Sequence, residues 1–376
     1  MQQAQIDFLT QLVNINSHTL NKSGVDAVGK LLQSHLADLN LEWQETVSHS
    51  RGNLLMARSL NWDDSKPVIL LNGHLDTVFK ENWATKVEDG KFYGPGTLDM
   101  KAGLLVAVEA IKTLQAQSKL QNIMLLLTPD EEDGMHHIEQ QAKYYSQADY
   151  ALVFEEGVWD LNNLDLQTKA TVVARKAAAF YDINFTGPGG HQGRLSKKEE
   201  RHSTIHEMAR KIVQLEELAD YAKGTVVNVG IVTGGIAANS IAENAYMRVD
   251  IRLGNRTELE RVEQALTKIF TPFDAQVQID AKRTLFYPSF DFTPEVDRFS
   301  QLVIASGREI GLDVKQQFRV SGSEANWISH YNPSCAILDG FGVVGKGDHS
   351  QQEFFLLGSF LPAVDLTTKV ISKILA

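Results

Sequence analysis

Over roughly the first 170 residues, apolar positions fall by turns at helical spacing and in short unbroken runs. Ile6, Leu9, Leu12 and Val13 mark one face of a helix near the start. "VGKLLQSHLADL" and "KAGLLVAVEAIKTL" repeat that spacing, the second with Leu104, Val108 and Ile111 on one side. Between and after them, "PVILLNGHLD", "NIMLLLTPDEE" and "YALVFEE" are runs without alternation, as expected of strands buried on both faces. This rhythm predicts an α/β domain whose sheet is covered on both sides.

The texture changes at about Val172. "VVARKAAAFYDINFTG" reads as one strand, "STIHEMARKIVQLEEL" as a helix and "GTVVNVGIVTGG" as a strand. "ENAYMRVDIRL" alternates, with Ala245, Met247, Val249, Ile251 and Leu253 on one side, which predicts a half-exposed strand. "TELERVEQALTKIF" reads as a helix capped by Thr257, three residues before Glu260, and "AQVQIDAKR" as a last strand. The order βαββαβ predicts a small ferredoxin-like α+β sandwich. Past about Arg283 the first texture returns. The predicted organisation is a larger domain over 1–172 and 284–376, interrupted by an inserted domain over 173–283.

Composition narrows the function classes. A net charge of -11 argues against a nucleic-acid or anionic-membrane partner. No apolar run approaches the roughly 20 residues of a membrane span. "MQQAQIDFLTQLVNINS" has neither the basic start nor the apolar core of a signal peptide. The single cysteine, Cys335, excludes an internal disulfide and a Cys-rich zinc site. It suits a reducing compartment, so the expected location is cytoplasmic.

The candidate chemistry sits where apolar runs end. His74 and Asp76 close "LLNGHLD", and residues two apart in an extended chain point the same way. Asp99 stands before a helix in "YGPGTLDMKAG". Glu131 and Glu132 follow "LLLTPD", Glu155 and Glu156 follow "LVF", and His349 lies in "GKGDHSQQEF". Singly, each has a plain structural reading as helix cap, solvated turn or surface histidine. Together they place acids at strand ends, where ligands gather in open α/β sheets. Acids converging there repel one another unless a cation holds them. Imidazoles with carboxylates suit a pair of divalent metals, zinc above all.

These motifs resemble those of the two-zinc metallopeptidases that include glutamate carboxypeptidase, aminoacylase, acetylornithine deacetylase and succinyl-diaminopimelate desuccinylase. "GHLDTV", "GTLDMKAG", "TPDEEDG", "NVGIVTGGIAANSIAENAYMRVDIR" and "GDHS" carry the resemblance across nearly the whole chain. It implies a mixed-sheet, zinc-exopeptidase-like catalytic domain with an inserted ferredoxin-like α+β dimerisation (lid) domain. It implies two divalent ions per chain, Zn2+ first and Co2+ or Mn2+ as alternatives. His74, Glu132, Glu155 and His349 would each bind one ion and Asp99 would bridge both. Glu131 would be the general acid/base and Asp76 would orient His74. The peptide bond after Asp99 would be cis. His191, in "TGPGGHQGR", would reach the active site of a partner subunit in a homodimer.

The sequence departs from that pattern at three places. Glu156 follows Glu155 where a proline is common, Glu324 in "SGSEAN" replaces an aspartate, and Ala242 in "NSIAEN" replaces a proline. Candidate substrate contacts are Asn239, which a turn would also explain, Arg252, which a surface ion pair would also explain, and Arg319. The expected activity is hydrolysis of an amide bond in a small peptide, with deacylation of N-acyl amino acids as the alternative. A non-catalytic metal- or peptide-binding protein fits less well, because such a protein needs no Glu131. "TGGIAANS" lacks the Lys-Ser/Thr of a phosphate loop.

Overall fold

Six strands build the main sheet of the larger unit, in the order Leu41–Thr46, Leu54–Ser59, Ile123–Thr128, Ile69–His74, Tyr150–Val153 and Ala336–Leu338. The last four run parallel and the first two join antiparallel, so the sheet is mixed. Every residue of Ile69–His74 and Ile123–Thr128 is buried. Successive side chains point to opposite faces, so both faces are covered and the sequence shows no alternation there. The first helix, Gln3–Asn14, buries Phe8, Leu9, Leu12 and Val13. A separate four-stranded sheet, Gly345–Lys346, Phe354–Leu356, Lys91–Tyr93 and Lys86–Glu88, carries the hairpin loop with His349.

The computed structural model describes residues 1–376. They divide into a larger unit of 1–174, 292–319 and 323–376 and a smaller unit of 175–291 and 320–322. No helix is long and apolar enough to cross a membrane.

Helix Ala102–Ala116 approaches the sheet closely through a glycine. A Cβ on Gly103 would stand 2.0 Å from the Phe154 carbonyl oxygen, and backbone cannot give way as a side chain can. Gly103→Ala is therefore expected to destabilise by about 1–3 kcal/mol, although alanine is the better helix former. A urea midpoint equal to wild type would refute this.

The smaller unit is a four-stranded antiparallel sheet in the order Val226–Gly234, Asn244–Leu253, Ala177–Thr186 and Gln278–Tyr287. Helices Thr204–Glu216 and Arg256–Ile269 complete the βαββαβ order. Ala245, Met247, Val249, Ile251 and Leu253 all face its core. Three details differ from the sequence reading. The stretch from Val172 to Gly187 is two strands, Thr168–Arg175 and Ala177–Thr186, and the first pairs with Asp313–Arg319 in the larger unit. The cap of helix Arg256–Ile269 is Asn255, not Thr257; the Asn255 side chain accepts the Glu258 N–H at 3.0 Å. The last strand continues past Arg283 to Tyr287, because a bulge between Arg283 and Leu285 interrupts its alternation. At the base of this unit Arg175 and Phe290 exchange both backbone hydrogen bonds, at 2.9 and 3.0 Å.

Candidate metal centre

Three neighbouring parallel strands deliver the central groups. His74 is the last residue of Ile69–His74, Glu131 and Glu132 sit in the turn after Ile123–Thr128, and Glu155 lies two residues beyond Tyr150–Val153. Their carboxyl ends therefore point to one place. Asp99 comes from the turn Thr97–Lys101 that leads into helix Ala102–Ala116, and its bond to Met100 is cis. His349 has a positive φ of 56°.

Two side-chain clusters share Asp99. His74 Nε2 lies 2.9 Å from Asp99 Oδ1 and 3.7 Å from Glu155 Oε1. His349 Nε2 lies 3.1 Å from Asp99 Oδ2 and 3.2 Å from Glu132 Oε2. In each cluster one atom per residue lies within 4.8 Å of the others. Glu132 Oε1 is buried with no hydrogen-bond partner. An unpaired buried carboxylate oxygen beside imidazole nitrogens and further carboxylates is the donor set a divalent cation satisfies. The residues fit two such ions.

The protonation balance shows the same need. Burial pushes Glu131 and Glu155 well above the usual carboxylate range, Asp99 adding repulsion to both. Burial and Asp99 push Glu132 up to about 7. Burial opposes ionisation of Asp99 too, but the hydrogen bonds from His349 and His74 hold it well below the ordinary value. Burial likewise opposes a charge on His74, and Asp76 and Asp99 outweigh it. His349 rises to about 11 through hydrogen bonds to Asp99 and Glu132.

Asp76 ties these pieces together. The His74 Nδ1–H donates to the Asp76 carbonyl oxygen at 3.0 Å, with Asp76 Oδ1 at 3.4 Å, which directs Nε2 toward Asp99. The Asp76 carboxylate also accepts the Glu131 and Glu132 N–H groups, both at 3.2 Å, and the Thr19 hydroxyl at 2.6 Å. One residue thus orients the His74 ring and fixes the turn bearing Glu131.

The other sequence candidates fall elsewhere. Arg319 is an ion-pair partner of Glu156 and also donates to the Glu156 and Val158 carbonyls, at 3.1 and 3.2 Å. That pairing turns Glu156 to Arg319 and leaves Glu155 beside His74. His191, Asn239 and Arg252 lie in the smaller unit. His191 pairs with Ser240, next to Asn239, and its Nδ1 accepts the Gly193 N–H at 3.1 Å. Nε2 therefore carries the proton on an exposed ring. Arg252 is paired with Asp250 at 2.8 Å.

Three groups near the centre escaped the sequence reading. Glu324 is fully buried, accepts the Thr128 hydroxyl at 2.7 Å and clusters with Glu131 and Glu155. It therefore lies among the acids of the centre. His137 bridges Asp130 and Ser48, 2.8 Å from each. Ser48 is buried, and its Oγ already accepts N–H groups from Ser50 and Arg51, so this trio braces the turn before Glu131 and offers no open nucleophile. Glu353 is fully buried and accepts three backbone N–H groups from the Asp99 segment. Burial raises it to about 8 against those three hydrogen bonds.

The sequence profile of peptidase family M20/M25/M40 matches residues 70–373, a span that includes every residue of both clusters. The chain belongs to that family. As an M20-family protein it is a metal-dependent hydrolase of amide bonds, and both carboxypeptidase and deacylase activities fit. It is 26% identical to carboxypeptidase G2 of Pseudomonas sp. (strain RS-16), over 96% of this chain and 86% of that protein. It is 28% identical to acetylornithine deacetylase of Proteus mirabilis (strain HI4320), over 68% of this chain and 69% of that protein. Among solved structures, aminopeptidase PepT from Bacillus cereus ATCC 10987 superposes with a TM-score of 0.79, covering 98% of both chains at 20% identity. That likeness shows a shared fold.

Proposed function

We propose that this chain is a two-metal exopeptidase of the glutamate-carboxypeptidase type, acting on small peptides. The observation that carries the reading is the pair of clusters joined at Asp99. His74, Asp99 and Glu155 would hold one ion, and Asp99, Glu132 and His349 the other. The mixed imidazole and carboxylate donors suit Zn2+, with Co2+ or Mn2+ as substitutes. When bound, two such ions acidify water and polarise a carbonyl. Glu131 takes the proton of the attacking water and returns it to the leaving nitrogen, a role that suits a carboxylate whose affinity for protons is raised by burial. Asp76 keeps His74 in the ligating tautomer and holds the Glu131 backbone.

The smaller unit supplies assembly and substrate contacts in this reading. Its strand Val226–Gly234 is a sheet edge with Ile231 and Val232 half exposed, and exposed apolar edges favour pairing. A homodimer through that edge follows, with His191 acting on the partner's site. Asn239 and Arg252 are assigned to substrate; Arg319 is committed to Glu156. The single buried cysteine suits a cytoplasmic enzyme. Deacylation of N-acyl amino acids is the second reading, favoured by the similarity to acetylornithine deacetylase.

The test joins metal counting to a substrate screen. Metal-free protein titrated with Zn2+ is expected to take up two ions per chain, and chelation to abolish hydrolysis reversibly. Dipeptides and peptides ending in Glu or Asp are expected to turn over faster than N-acyl amino acids. Saturation at one ion would sink the two-metal reading, and the reverse substrate preference would favour the deacylase.

A further inference from the structure

Glu353 occupies an unusual position for a loop carboxylate. It is fully buried, four residues past His349 and just before the strand Phe354–Leu356. Its Oε2 accepts the Gly96 N–H at 2.9 Å, and its Oε1 accepts the Leu98 and Asp99 N–H groups at 2.6 and 3.0 Å. The Glu353 carbonyl also accepts the Gly94 N–H at 3.3 Å. These donors belong to a turn with no regular ladder of its own. Gly96 is left-handed at φ 68°, and Asp99 and Met100 have non-helical backbone angles immediately ahead of helix Ala102–Ala116. Buried N–H groups must find acceptors. Here one side chain from a distant part of the sequence accepts three of them, while the Thr97 and Lys101 N–H groups bond within the turn.

Burying this carboxylate close to Asp99 is electrostatically unfavourable. A neutral polar side chain would satisfy fewer of the donors. Glutamine has one accepting oxygen, and its NH2 group would face an N–H. We propose that Glu353 is a positioning residue for the metal centre: it sets the backbone that aims both oxygens of Asp99, and it ties that backbone to the hairpin carrying His349. This rests on the two-metal reading above. Glu353 touches neither substrate nor reacting atoms; its effect passes through Asp99. The His74 side is held independently by Asp76. The clamp therefore serves the shared ligand, whose two oxygens face different histidines.

Two measurements on the full chain test this. In the first, wild type and Glu353→Gln are loaded with Zn2+ and titrated with a competing chelator, with circular dichroism and Tm recorded alongside. The expected result is a folded variant that holds Zn2+ roughly 10–100-fold more weakly, as for other groups that orient ligands from behind. A purely structural role would lower Tm without changing the Zn2+ affinity of the folded fraction. In the second, amide hydrogen exchange is followed in metal-free wild type, which needs no variant. The Gly96, Leu98 and Asp99 amides are expected to be protected before any metal is added. A folded Glu353→Gln protein with wild-type Zn2+ affinity overturns the proposal, and so do freely exchanging amides. If Glu353→Gln does not fold, the exchange result decides. If wild type itself takes up fewer than two ions, the two-metal reading falls, and exchange still decides whether the clamp exists.

Discussion

Glu131→Gln is expected to lower kcat by about 10²–10⁴-fold, the usual contribution of a general base, while leaving two ions bound and the fold intact. The amide is nearly isosteric with the acid but cannot take up and return a proton. Glu131 is buried among Glu132, Glu324 and Asp99, all of which push its proton affinity up. Removing one acid from that group relieves repulsion, so the variant should melt no lower than wild type. This combination separates the base from a ligand: losing a ligand would weaken metal retention, whereas losing the base would not. The measurement is kcat at full Zn2+ occupancy, confirmed by elemental analysis of the same sample. A variant with near wild-type kcat would remove Glu131 from the mechanism.

His191→Ala should be the next most damaging change, with a loss of about 3–4 kcal/mol in transition-state stabilisation, typical of one oxyanion donor. The argument starts from its ring. Nδ1 is occupied by the Gly193 N–H, so Nε2–H is the donor, and the side chain is exposed and directed by a short β-bridge to Ser240. An exposed donor of fixed tautomer suits a role in recognising charge that develops on a substrate held by a partner subunit. Complementation tests the trans arrangement. His191→Ala and Glu131→Gln proteins are mixed under conditions that exchange subunits. Heterodimers would contain one site with both residues intact, and activity should return towards roughly a quarter of wild type for equal random mixing. No recovery despite proven exchange would rule out action in trans.

The parts of this protein that sequence makes legible are those where local pattern and tertiary role coincide. Runs such as "MLLLTPDEE" and "ALVFEE" announce buried strands ending in acids, and those ends meet because the strands are parallel neighbours. The alternation from Ala245 to Leu253 likewise survives as a half-buried strand. What stayed hidden depends on partners far along the chain. "SQQEF" reads as a solvated loop, yet Glu353 is buried because it meets amides more than 250 residues earlier. Glu324 appeared only as a departure from the family pattern, and its burial is set by Thr128, 196 residues away. The break at Lys176 was invisible because buried residues flank it on both sides. Asn255 was passed over for Thr257 because two acceptable caps lie two residues apart, and only the Glu258 N–H distinguishes them.

The paired backbone of Arg175 and Phe290 has a consequence for how such a chain can change over time. A long segment whose ends are bonded to each other is, for the remainder of the protein, a short connection already closed. Lengthening or reshaping what lies between them adds little loop-closure cost to the host. The strands that end in His74, Glu132 and Glu155 all belong to that host. The inserted segment can therefore change in length and surface while the inherited hydrolytic centre stays as it is.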